Sequence, residues 1–403
     1  MGREVSVVAD RSEADISGGM TRAAGDAAAW ARHALSTKPT ALTIAQRREV
    51  ARSRVSAFDN IDSVAKTREQ TRWARFVKCK AFSYAMLSAV KKRPLGKTGL
   101  LVSELALGTW GLSGEAYGRV SPEDAEQTIL RALEIGLTTI DTSDAYGVGK
   151  VEATLGRILD GRDGVTVITR GGIDRRTEPP TQNFTPEFIE AAVTRSRKRL
   201  RREALDIYLL HNPSTECLRR GEATAAIQSL VKGGRIAHWG VAAGNADVAR
   251  AALDQGAEVL EIAYNLFHAS DLHHIAGDVM VAGAGILARS TLGYGLLAGL
   301  WTKDRDFPIG DHRRERWTKP ELAHRVGQLD AIRFLVKGEV RSMRAAAVRF
   351  ALANHLVSGV VLGPRSVPQL EQLVREVGSG PTYIPESDLA ALPHALSQVG
   401  IST

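Results

Sequence analysis

Cysteine is nearly absent from this 403-residue chain, which has two, Cys79 and Cys217. Two thiols cannot make a disulfide framework, and nothing in the cysteine usage points to an oxidising compartment. Long apolar runs are missing as well. The longest stretches without polar side chains are residues 279–288 and, counting Tyr294 as apolar, 292–301. Each is half of the roughly 20 residues a membrane-spanning helix needs, which excludes an integral helical membrane protein. The N-terminus has no apolar h-region, so no secretory signal is expected and a cytoplasmic protein is the default. The net charge of +8 is also confined. Residues 1–92 hold 17 Lys/Arg against 9 Asp/Glu, and the remainder holds 36 of each sign. The larger part therefore carries no basic footprint, and nucleic-acid binding is excluded as its function.

What is present is enough apolar sequence, 44% of residues, to bury a sizeable core. The chain divides into two parts. Residues 1–92 are a basic extension with weak helical patterns at 23–34 and 45–56 and no turn punctuation. Three readings of it stand: a mobile basic arm, a small helical partner-binding module, or sequence upstream of a natural start at Met86; separately, Trp30 and Trp73 are candidates for an oligomer contact. Residues 93–403 are expected to form one domain.

In that domain short β-branched or apolar runs alternate with stretches of helical period. Strands are expected at 105–109, 138–141, 165–170, 206–211, 236–241, 259–264, 285–289 and 359–362. Helices are expected at 121–134, 150–159, 186–202, 224–232, 246–253, 320–336 and 340–353. Ser121 and Thr185 precede acid-rich first turns and read as N-caps. Eight strands in regular alternation with helices specify a closed (β/α)8 TIM barrel. A doubly wound sheet would use fewer strands and carry a glycine fingerprint after the first. The one match to it, at Gly283, Gly285 and Ala288, leads into a strand instead of a helix and has no helix N-terminus to hold a phosphate. Gly96-Lys97-Thr98 resembles the end of a phosphate loop, but Lys91 stands where its first glycine belongs. His273 and His274 are adjacent without a third ligand at metal spacing, so no metal site is expected.

A barrel presents its chemistry at the C-terminal ends of its strands. Asp141, Arg170 and His211 end the second, third and fourth strand candidates. Tyr146 follows in Asp141-Thr-Ser-Asp-Ala-Tyr146-Gly147, where a short loop returns it over the mouth. An acid, a phenol, a fixed cation and an imidazole thus converge on one face.

The order of motifs from residue 93 to about 378 resembles the aldo-keto reductases, a family of (β/α)8 barrels that bind NADPH without a Rossmann fold. Arg93-Pro-Leu-Gly-Lys-Thr-Gly99 is similar to the family's opening hairpin, and Gly108-Thr109-Trp110-Gly111 to its first strand end. The 141–146 stretch resembles its tyrosine motif and Leu209-Leu-His211-Asn-Pro213 its histidine strand. Arg289 and Ser290 through Leu292 and Gly295 to Gly299 are similar to the loop across the cofactor. Gly363-Pro-Arg365-Ser366-Val-Pro-Gln369 resembles the segment holding the adenosine phosphate. The resemblance implies NADP as cofactor, a small aldehyde, ketone or sugar-like substrate, and Tyr146 as proton donor. It implies an aspartate-held cation that eases loss of the phenol proton, with His211 positioning the carbonyl.

Departures from the family pattern cluster at the chemistry. Arg170 stands where the family has lysine, and keeps the charge in a bulkier planar fork. Ala242-Ala243 replace a Ser-Asn pair that grips the carboxamide, Glu261 replaces a glutamine, and Leu373 an adenine-side asparagine. The expected activity is NADPH-dependent carbonyl reduction, with two alternatives. One is a lyase, dehydratase or isomerase using the same pocket; the other is a catalytically weak NADP-binding regulator. The loop 304–318, with Asp311, His312, Arg313, Arg314 and Trp317, is expected to overhang the pocket.

Overall fold

The computed structural model describes residues 90–378 and 380–402. Expectations about residues 1–89, including a start at Met86 and the tryptophans Trp30 and Trp73, fall outside the described residues.

Eight parallel strands close into a barrel in chain order. They are β1 (Leu105–Gly108), β2 (Thr139–Asp141), β3 (Thr166–Gly171), β4 (Leu205–His211), β5 (Ile236–Ala242), β6 (Val259–Ala263), β7 (Gly285–Arg289) and β8 (Val357–Leu362). All eight expected strands are present, with half of their sixteen ends displaced by one or two residues. Ser121 and Thr185 cap helices α1 (Pro122–Glu134) and α2 (Pro186–Leu200), each hydroxyl accepting from the backbone N–H three residues on. A proline at the first helical position follows each cap, where its missing N–H costs nothing. The expected helix at 320–336 is instead an α-helix, Lys319–Gln328, continued by a 3-10 segment, Leu329–Leu335. Five further α-helices among the described residues were not anticipated: the short Thr215–Arg220, Ser270–His274 and Ala276–Ala282, and the longer α3 (Val367–Val377) and α4 (Glu386–Ser397).

The core has two layers. Ile168, Ile207, Leu209, Val259 and Leu287 fill the barrel's inside, and a larger apolar layer lies between strands and helices. The bottom of the barrel is plugged from the N-terminal side. Residues Lys92–Pro94 and Leu101–Ser103 pair as an antiparallel hairpin, whose fully buried Leu95 and Val102 join the inner core. This contact explains the glycines that mimicked phosphate motifs. A Cβ on Gly285 would lie 2.5 Å from Leu95 Cδ1, and one on Gly96 would lie 2.3 Å from the Gly285 nitrogen. Glycine at 96 and 285 lets the plug close against the sheet.

His273 and His274 are both exposed, His273 Nε2 lying 3.1 Å from the Tyr264 hydroxyl. Among the described residues there is no cluster of potential metal ligands. No described helix is long and apolar enough to cross a membrane.

Candidate active site

Strand register brings the expected catalytic residues to the barrel's C-terminal rim. Asp141 ends β2, Arg170 lies at the end of β3 and His211 ends β4. Tyr146 sits in a turn of 3-10 type, Tyr146–Gly149, kept tight by left-handed backbone at Gly147 and Val148. Its ring stands edge-on to His211, with centroids 6.5 Å apart and planes at 88°.

The charged wall of the site is a buried network. The Arg170 guanidinium bonds Asp141 and, through two nitrogens at 2.7 and 2.6 Å, both oxygens of Glu261 on β6. All three side chains are at most 5% exposed. Arg289, ending β7, approaches Glu261 to 3.9 Å and donates to the Ala243 carbonyl at 2.9 Å. Two carboxylates and two guanidiniums therefore lie together, as burial of charge demands.

This arrangement changes the expected roles. Arg170 pairs with Asp141 as anticipated, but its second partner, Glu261, was expected to face the cofactor. Burial keeps the Tyr146 phenol well above its ordinary pKa, and Glu261 adds to that. The cation pulling in the opposite direction is Arg289, whereas the expectation assigned that work to Arg170. Burial first, then Arg170 and Arg289, lower the His211 imidazole to about 3, so it is neutral at pH 7. Its Nδ1 lies 3.4 Å from the Ser143 hydroxyl, which is also 3.4 Å from Asp144. Asp144 is raised to about 7, by burial first and then by Glu152. Beside it the Tyr208 hydroxyl is buried without a partner among the described residues, in space that a side chain on Gly171 would occupy. Sequence reasoning passed over Asp144 and Tyr208. The signal was the acid two residues before Tyr146.

The residues expected to hold the cofactor fall into three groups. Some are committed to the barrel itself. The Thr109 hydroxyl donates to the Asp141 carbonyl at 2.9 Å, and a Cβ on Gly108 would lie 2.7 Å from Val361. Others belong to loops over the mouth. Trp110 packs on His312 at 4.7 Å, and Gly295 adopts a left-handed φ of 101° beside Trp301 and Arg313. Ser290 also has positive φ, its carbonyl accepting from Asn265, and Leu292 is partly buried. The third group lies at the end of β8. The Gly363 backbone is open to space; Arg365 Nε is buried without a hydrogen-bond partner among the described residues. Ser366 heads α3 without capping it, and Gln369 accepts from the Arg365 N–H at 3.0 Å.

Residues 104–379 match the model of the Aldo/keto reductase family. The chain belongs to the aldo/keto reductase family. "Aldo-keto reductase YhdN" of Bacillus subtilis (strain 168) is 28% identical over 295 residues, covering 70% of this chain and 88% of that protein. The "NADH-specific methylglyoxal reductase" of Escherichia coli (strain K12) is 29% identical over 252 residues, covering 58% and 76%. The solved structure of the glycerol dehydrogenase AKR11B4 from Gluconobacter oxydans superposes with a TM-score of 0.67 at 25% identity, covering 78% of this chain and 97% of that one. This aldo/keto reductase is accordingly an NAD(P)-dependent oxidoreductase of the carbonyl-reducing kind.

A nicotinamide cofactor finds unequal reception in this family member. The β8 rim suits a phosphate: an unpartnered buried guanidinium N–H, a free hydroxyl and an uncapped helix N-terminus lie on consecutive residues. The carboxamide end is poorer. Ala242 and Ala243 offer no polar side chain, the Ala243 carbonyl is taken by Arg289, and both Glu261 oxygens are taken by Arg170. Leu373 is buried in the outer core.

Proposed function

We propose that this aldo/keto reductase uses NADPH to reduce a small carbonyl compound, with Tyr146 giving the proton. The observation that carries this reading is the Tyr146 phenol standing edge-on to a neutral His211 at the mouth of the barrel, on the face that also bears the open β8 rim.

When bound, the nicotinamide supplies a hydride to the carbonyl carbon. The carbonyl oxygen takes the proton of the Tyr146 hydroxyl and ends as an alcohol, and the phenolate recovers its proton from solvent. Since burial holds the phenol above its usual pKa, the donor is fully protonated at pH 7 and proton release is the demanding half of the step. Arg289 is the nearby cation that eases that release. In the tautomer this reading assigns, His211 Nδ1 faces the Ser143 hydroxyl as acceptor, and Nε2 carries the hydrogen that holds the carbonyl oxygen toward the phenol. Asp141, Arg170 and Glu261 form the rigid wall behind them. The adenosine 2′-phosphate takes Arg365 as a charge-assisted donor, with Ser366 beside it, which favours NADP over NAD. The side chains of Ala242, Ala243 and Leu373 have no hydrogen bonds to offer, so the affinity is weaker than this class of site usually achieves.

Tyr146→Phe tests the reading. Reduction of a panel of aldehydes and ketones, followed as NADPH oxidation, falls on the order of a hundredfold to ten-thousandfold. NADPH affinity from fluorescence titration stays at the wild-type value. Full activity in the variant removes Tyr146 as donor, and a wild-type enzyme that oxidises NADPH with no carbonyl removes the reductase reading.

A further inference from the structure

Above Tyr146 the loops after β1 and β7 close on one another. Tyr117 and Asp311 form an antiparallel bridge, and the His312 N–H donates to the Ala116 carbonyl at 3.0 Å. The closure builds an aromatic box in which His312 contacts Trp110 at 4.7 Å, Tyr117 at 4.9 Å and Tyr294 at 5.4 Å. Tyr294 has a φ of 59°, a strained value for an aromatic residue that only a well-determined surrounding sustains. Inside the box His312 Nε2 is buried and bonds nothing among the described residues.

Two arginines reach this box, and they differ. Arg313 is neutralised by Asp311 through bonds of 2.9 and 2.5 Å and serves as structure. Arg316 has no carboxylate partner among the described residues. It is exposed, with its guanidinium 3.6 Å over the Tyr294 ring, which holds it at the box without consuming its charge.

We propose that Arg316 and His312 form an anion-recognising subsite, so that the substrate is a small carbonyl compound bearing a carboxylate or phosphate. The inference rests on the reductase reading above and names its substrate class. A buried imidazole nitrogen without a partner among the described residues, a donor in the Nε2–H tautomer, and a cation without an anion lie a few ångströms from one aromatic ring and await the same complement. Neutral His312, its imidazole lowered to about 4 by burial and by Arg316, gives an N–H without adding repulsion against the guanidinium. Arg365, assigned to the cofactor's adenosine phosphate, borders the Tyr117 side of the box: a Cβ on Gly111 would lie 3.2 Å from Arg365 Cγ and 3.7 Å from Tyr117 Cδ2, so NADPH affinity is the readout that separates the two anions.

The experiment compares aldehydes matched in skeleton: butanal against 4-oxobutanoate, and glyceraldehyde against its 3-phosphate. Wild-type kcat/KM with NADPH favours the anionic member of at least one pair by tenfold or more. Arg316→Gln lowers that preference by roughly tenfold, through the KM of the anionic member, while the NADPH dissociation constant remains that of wild type. Equal losses on both members of each pair overturn the subsite. A weakened NADPH complex also overturns it and reassigns Arg316 to the cofactor. If no aldehyde is reduced, the reductase reading fails and tryptophan fluorescence decides the subsite alone. Quenching by 4-oxobutanoate or inorganic phosphate that weakens about tenfold in Arg316→Gln sustains it, and quenching indifferent to the substitution overturns it. His312→Gln, which keeps an N–H donor, retains the anionic preference, whereas His312→Phe lowers it.

Discussion

At the Asp141–Arg170–Glu261 wall each charge answers another, with Arg170 alone bonding both carboxylates. At the β8 rim and the aromatic box, Arg365 Nε and His312 Nε2 are just as hidden from water and bond nothing among the described residues. The contrast separates two uses of buried polarity. A network that satisfies itself is structure, and its removal is felt in folding. A donor held without an acceptor is a standing cost that only a ligand relieves.

The sharpest way to break that contrast is to remove one arginine from each region. Arg170→Ala leaves two carboxylates buried with only Arg289 near, and costs about 3–5 kcal/mol of stability in a denaturant titration. Arg365→Ala changes stability by no more than about 0.5 kcal/mol, because its guanidinium pairs with no carboxylate among the described residues and makes one long bond, to the Arg119 carbonyl at 3.4 Å. Comparable losses from the two substitutions would erase the distinction.

The second effect belongs to the open rim. A charge-assisted bond to a phosphate is worth about 1.5–3 kcal/mol, so Arg365→Ala raises the NADPH dissociation constant roughly ten- to hundredfold. NADH, which lacks the 2′-phosphate, changes by less than about twofold. Equal weakening of both cofactors would take Arg365 away from the 2′-phosphate.

The barrel was legible in the sequence because each strand is a short apolar run set between helical stretches with readable caps, such as Ser121 and Thr185. Helix α4 was hidden by Pro393 within it, and α3 by a start at Ser366 for which ligand binding was preferred to a helix start. At the site, strand-end positions were enough to gather Asp141, Tyr146, Arg170 and His211. Pairing across the barrel was not legible: Arg170 and Glu261 stand 91 residues apart, and no local pattern joins them. Their meeting recasts two departures from the family pattern as one. Arginine in place of lysine supplies additional N–H groups, and glutamate in place of glutamine supplies the charge and second oxygen that receive them. The aromatic box was illegible for the same reason, since Tyr117 and His312 lie on loops that meet only after the barrel closes.

If the two departures are one, they are coupled energetically. Arg170→Lys alone shortens the reach to Glu261, and Glu261→Gln alone removes half of the charge balance. Each lowers stability, and the double variant recovers part of the loss, with a coupling energy of about 0.5–3 kcal/mol from a double-mutant cycle. The double variant also gains carbonyl-reducing rate over wild type, because the carboxylate that holds the phenol proton is gone. Additive stability effects would mean the two positions vary independently.

The smallest net effect is a cancellation within the site. His211, lowered to about 3 from an ordinary 6.5, binds fewer protons folded than unfolded between those values. It therefore makes stability rise with pH across that window. Asp144, raised to about 7 from 3.8, binds more protons folded than unfolded, and makes stability fall with pH from about 4 to 7. Each slope is at most about 1.4 kcal/mol per pH unit, one proton's worth. Between pH 4 and 6.5 the two oppose, and their joint contribution is nearly flat. Single variants expose the halves. Asp144→Asn leaves a steeper rise of unfolding free energy with pH than wild type, and His211→Gln leaves a steeper fall. If both variants keep the wild-type slope between pH 4 and 6.5, neither group is perturbed as the geometry of the closed site requires.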